Sequence, residues 1–166
     1  MPVSTDIART YRSPRKVLRG KLGAGVREDR ALASLMAACF LIFVAQWPVL
    51  SRQAFLDPSV PLEARLGGAL LAWLFIAPIA AYVIAAASHI LARLAGGSGT
   101  WFGARLALFW ALLAASPLWL LNGLVAGFVG PGPALSFVGL VAMGVFLVFW
   151  GAGLWEAERG GNGIRA

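Results

Sequence analysis

The sequence predicts an all-α polytopic transmembrane helical bundle of about four spans, with an N-terminal amphipathic interfacial helix in front. Three observations carry that expectation. Of the 166 residues, 60% are hydrophobic and only 13% are charged, whereas soluble domains lie nearer half apolar and a quarter charged. Four apolar runs at about 31–50, 66–92, 103–128 and 134–155 are each long enough for a hydrocarbon core of about 30 Å. Eight of the fourteen basic residues (Arg9, Arg12, Arg15, Lys16, Arg19, Lys21, Arg27 and Arg30) precede the first run. A basic block beside a span orients it and meets anionic headgroups, so the net charge of +7 points to a lipid bilayer and not to nucleic acid.

Residues 1–30 form the basic lead-in. Its first twelve residues are polar and read as loose chain. Ser13-Pro14 reads as a helix start, with a hydroxyl at the N-cap and proline where its missing N–H costs nothing. Leu18, Leu22 and Val26 then fall on one face, with Arg15, Lys16, Arg19 and Lys21 on the rest. That pattern suits a helix lying along headgroups, with those four cations as the lipid contacts. The lone cysteine, Cys39, excludes an internal disulfide and reads as a small buried hydrophobe. Neither a signal-peptidase site near residues 45–48 nor a lipoprotein box at 36–39 is expected to be cut, because bulky residues or continued apolar chain follow.

Residues 31–155 are the bundle. The first span is bounded by Pro48 and Arg52, with Trp47 at an aromatic-belt position. Asp57-Pro58 and Val60-Pro61 break the chain before the second span. That second run, of roughly 27 residues, would rise about 40 Å if straight, and Pro78 offers a place to bend. Ala77, Ala81 and Ala85 make a small-residue ridge for close helix approach. The third span carries Pro117 at its middle, where a kink is expected, then Asn122 and the Gly123/Gly127 pair. Gly-Pro turns introduce the fourth span, and residues 156–166 read as a short polar tail. With the N-terminus inside, twelve basic residues (Arg93, Arg105, Arg159 and Arg165 among them) lie inside and only Arg52 and Arg65 outside, which makes both termini cytoplasmic.

Candidate chemistry is thin. His89 is the single histidine, and every acid falls in a tail or loop, the nearest in sequence being Glu63 at the other end of the same helix. His89 therefore reads as an interfacial polar residue without partners. Asn122 reads as an interhelical hydrogen-bonding residue. Residues 96–100, Gly-Gly-Ser-Gly-Thr, superficially suit phosphate but lack the Lys-Ser/Thr pair and join two spans, so nucleotide binding is rejected. No catalytic set, cofactor site or metal cluster can be assembled, and a non-enzymatic role follows.

The basic lead-in, the Gly96-Gly97-Ser98-Gly99-Thr100-Trp101-Phe102 turn and the span with Leu108-Phe109-Trp110 and Pro117 resemble the Yip-domain family of polytopic membrane proteins. The likeness is to its small bacterial branch, over roughly residues 14–155. The resemblance implies a non-catalytic membrane protein acting by helix–helix and lipid contacts. The family is described with five spans against the four counted here; a fifth arises only if residues 103–128 bend back as a hairpin. The Ala/Gly/Arg-rich composition suits a bacterium with a GC-rich genome, which places the expected bundle in a bacterial inner membrane, and a GTPase-trafficking role is not carried over. Two alternatives stay open: an accessory subunit of a larger membrane complex, such as an energy-transducing one, and a small transporter or channel with Pro78, Pro117 and Asn122 about a midplane site. The partner is then either a membrane complex or a second copy in a homo-oligomer.

Overall fold

The computed structural model describes residues 3–159. Among the described residues the chain is helical, without a strand: α1 Val3–Thr10, α2 Pro14–Gly23, α3 Glu28–Leu56, α4 Leu62–Leu71, a π-helical turn Ala72–Ile76, α5 Ala77–Leu94, α6 Trp101–Phe128 and α7 Pro133–Arg159. Helix α4, the π-turn and α5 join into one rod, Leu62–Leu94. Together with α3, α6 and α7 it makes four helices long and apolar enough to cross a membrane. The protein is an all-α, multi-pass membrane bundle.

Helix α6 is the axis of the bundle. It packs along α3 on one side and α7 on the other, with α5, α1 and α2 completing its surround. Phe109, Ala111, Ala114 and Ala115 are accordingly inaccessible. Helix α3 runs alongside α6 in the same direction, joined at one end by the Glu28–Arg105 ion pair. Farther along, Gly123 and Gly127 lie against the backbone of Ala45 and the ring of Pro48, and a methyl group at either glycine would overlap them. Small residues let two helices approach this closely in lipid, where no hydrophobic force drives them together. The alanine ridge behaves the same way: Ala81 and Ala85 are buried against α6, and Ala77 packs at the edge of that cluster.

The prolines behave less simply than the sequence predicts. Helix α3 does not end near Pro48 but passes through it to Leu56, where Asp57 stops it. The relief needed at Pro78 lies upstream of it. In the π-turn the Ala77 N–H reaches the carbonyl of Ala72, five residues back, widening the helix just before the proline ring must fit. Pro117 sits inside an unbroken α6, so residues 103–128 form one span and not a hairpin. The carbonyl that Pro117 leaves unbonded, that of Leu113, accepts instead from Ser116 Oγ at 2.8 Å.

Both ends of the chain also depart from expectation. The first residues are not loose: α1 folds onto α6, burying Thr10. Trp110 Nε1 donates to Thr10 Oγ1 at 3.1 Å, and Tyr11 donates to the Ala114 carbonyl at 3.1 Å. Helix α2 starts at Pro14 as predicted, although Ser13 makes no side-chain cap. Its apolar residue Leu18 is 1% exposed, packed into the core cluster with Ala107 and set against Gly153 of α7. The apolar face of α2 is thus spent on protein and not on lipid. Val26, beyond the end of α2, is exposed and does not extend that face. At the other terminus, Glu156–Arg159 are no tail but the last turn of α7. Residues 160–166, with Arg165, lie outside the described residues.

Candidate functional site

The glycine turn between α5 and α6 and the last turn of α7 meet at one end of the bundle. The i+4 ridge of Ala77, Ala81 and Ala85 continues to His89, which therefore faces inward and is 0% exposed. Opposite it stands Glu158, 7% exposed. His89 Nδ1 lies 2.8 Å from Glu158 Oε1, and Gly99 N–H donates to Oε2 at 2.9 Å. The carboxylate thus accepts at both oxygens, from an imidazole and from a backbone amide. Ser98 adds N–H and Oγ contacts to the Glu158 carbonyl, both at 3.2 Å.

The turn has to be glycine-rich for a spatial reason. A Cβ on Gly99 would stand 2.6 Å from the Ala157 carbonyl oxygen, and one on Gly97 2.6 Å from Glu158 Oε2. Thr100 then opens α6, its hydroxyl accepting from Gly103 N–H at 3.1 Å. Such a turn at a helix N-terminus is suited to an anion, and the anion here is the chain's own Glu158. Trp101 closes the outer side, its ring centroid 4.5 Å from that of His89.

Sequence reasoning placed His89 without partners and every acid in a tail or loop. The pair corrects both points. The imidazole–carboxylate contact could orient a base, but His89 Nε2 has no hydrogen-bond partner among the described residues. The nearby Ser88 hydroxyl is engaged by the Ala85 carbonyl at 2.8 Å. The arrangement is a latch that ties α5, the turn and α7 together.

Compared with known family models, curated proteins and solved structures, the chain matches none.

The latch and the other polar groups of the spans therefore have to be read from their geometry alone. Asn122 Oδ1 lies against Gly139 of α7, buried and unbonded, so this oxygen accepts no hydrogen bond across the helices. Gly139 has no side chain to answer it. Cys39 is buried in the core as expected.

A second feature lies at the same end. A cleft of about 1010 Å³ opens between the α1–α2 hairpin, the start of α3 and the first four turns of α6. None of Pro78, His89, Pro117 or Asn122 lines it. The four predicted lipid-contact cations divide about it. Lys16 and Lys21 line the cleft, whereas Arg15 and Arg19 do not. Arg15 is exposed, and Arg19 pairs with Glu156 at 2.6 Å while staying 73% exposed. Lys21 is turned inward instead, 3.0 Å from Asp6 Oδ2 and 3.7 Å above the Trp110 ring. It fastens the hairpin to α6 and offers little to a headgroup.

Proposed function

We propose that the protein is a non-catalytic scaffold of a bacterial cytoplasmic membrane, Yip-like in type, that works through helix–helix and lipid contacts. The observation that carries the reading is the fixed basic face of α2. Leu18 is anchored in the bundle and Lys21 is held on Trp110, so Arg15, Lys16 and Arg19 are held outward as one rigid surface. That surface stands at the end that also carries Arg27 and Arg30 at the start of α3, beside its acids Glu28 and Asp29, Arg93 in the last turn of α5 and Arg105 in the second turn of α6. Basic segments beside spans favour the cytoplasmic side and its anionic lipids, which supports placing this end inside. The Yip-like ascription draws on the resemblance of the 96–102 turn and the Pro117 span. The four helices depart from the family's usual five.

A photoactivatable phosphatidylglycerol tests the contact. It should label α2 in membranes containing the native protein. The triple replacement Arg15→Gln, Lys16→Gln, Arg19→Gln should lower that labelling severalfold without loss of folded protein. Undiminished labelling would remove the basis of the proposal.

A further inference from the structure

The cleft beside α2 has two kinds of wall, and their order is informative. Five exposed basic residues line it and form its rim: Arg9, Arg12, Lys16, Arg27 and Arg30. Arg27 is answered by Asp29 at 2.9 Å, but Arg12, Lys16 and Arg30 have no ion-pair partner among the described residues. The one acid lining the cleft, Asp6, is already neutralised by Lys21. The rim thus holds an excess of positive charge. Below it the floor is apolar, formed by Leu106, Trp110 and Leu113 of α6. The facing wall of α3 is Ala33, Ser34 and Ala37, with both alanines exposed toward the space. Large side chains on one wall and small ones on the other leave a slot.

The depth of that slot is readable from the helices. From Arg30 to Ala37 on α3, and from Leu106 to Leu113 on α6, the walls each descend about 10 Å at 1.5 Å per residue. One leaflet of hydrocarbon is about 15 Å thick. A molecule with a charged head at the rim would therefore have its upper chain, and not its whole length, inside the protein. A free inorganic or sugar phosphate would satisfy the rim but leave the apolar floor unfilled. A zwitterionic lipid would fill the floor but bring its own ammonium cation into a rim that already holds an excess of positive charge.

We infer that this cleft is a binding site for one anionic phospholipid, its phosphate at Arg12, Lys16 and Arg30 and an acyl chain between Ala33/Ala37 and Leu106/Leu113. The occupant is drawn from the leaflet on the α2 side. The inference rests on the proposed orientation only for which leaflet that is, because binding itself can be measured in detergent.

The test uses the full chain purified in a neutral detergent and titrated by native mass spectrometry. Phosphatidylglycerol, phosphatidylcholine and soluble glycerol 3-phosphate are the three probes. Phosphatidylglycerol should saturate at one molecule per chain, with phosphatidylcholine and glycerol 3-phosphate far weaker. Arg12→Gln with Arg30→Gln should weaken phosphatidylglycerol about thirtyfold. The control Arg15→Gln with Arg19→Gln removes the same charge outside the cleft and should change little. Ala37→Phe keeps every charge but fills the slot, and should abolish the saturable event while the melting temperature holds. Equal retention of both lipids, equal losses from the two arginine pairs, or an indifferent Ala37→Phe would overturn the inference. Tight binding of glycerol 3-phosphate would overturn it too, by assigning the site to the headgroup alone. The Arg15→Gln with Arg19→Gln pair separates the two readings: it should lower α2 labelling in membranes and leave the saturable event in the cleft intact, so either reading can fall while the other stands.

Discussion

At the scale of single residues, the His89–Glu158 contact concentrates what is polar in the spans. Removing either partner strands the other in a place without water, and a buried group so stranded costs about 1–3 kcal/mol. His89→Ala and Glu158→Gln should therefore each lower the melting temperature of the purified protein. Combined, they should lose less than the sum of the two, because contacting residues couple by about 0.5–3 kcal/mol. Strict additivity in that cycle would mean the contact carries nothing. Half of this pair was legible in the sequence. His89 follows Ala85 at the spacing that already marks the inward ridge, so its burial could have been read. Glu158 could not, since 69 residues separate the two and a glutamate beside Gly160-Gly161 looks like solvent-exposed chain.

At the scale of elements, the α3–α6 contact is set by glycine. Gly123→Val would drive a branched side chain into the Ala45 carbonyl and should force the helices apart, at a cost of about 1–3 kcal/mol or more. Gly144→Ala in α7 is the matched control: nothing lies within 4 Å of its added carbon. It should leave stability unchanged or raise it by up to about 1 kcal/mol through helix propensity. Equal behaviour of the two variants in thermal unfolding would refute the packing argument. The close glycine face was readable from the Gly-x-x-x-Gly spacing, as was the alanine ridge. The proline effects were readable only in kind. Sequence says that Pro117 frees a carbonyl, but not that Ser116 would take it. Nor does it place the relief for Pro78 at Ala72–Ile76.

At the scale of the whole molecule, four spans place both ends of the chain on one side. A reporter fused after Ala166 should be active only in the cytoplasm, matching a reporter at the N-terminus. Activity on opposite sides would require one of the four helices not to cross. Span number followed from apolar run length; the central position of α6 did not, because all four runs are alike in length and apolarity. Nor did the fate of the first thirty residues. An amphipathic basic helix has the same pattern whether its apolar stripe meets lipid or protein, and Leu18 facing Gly153 decides the matter only in three dimensions.

The docking of that N-terminal hairpin also fixes an order of events during synthesis. The Tyr11 hydroxyl binds a carbonyl 103 residues later in the chain, and Leu18 waits for Gly153. At about 5–20 residues per second, the ribosome needs roughly 5–20 s after Tyr11 before Ala114 exists. Throughout that interval the basic hairpin has no docking site, so its charges are free to hold the N-terminus back while the first span inserts. Only when α6 and α7 are in place does the same segment close over them. On the proposed orientation, one stretch of chain serves first as an orientation signal and last as the piece that completes the bundle.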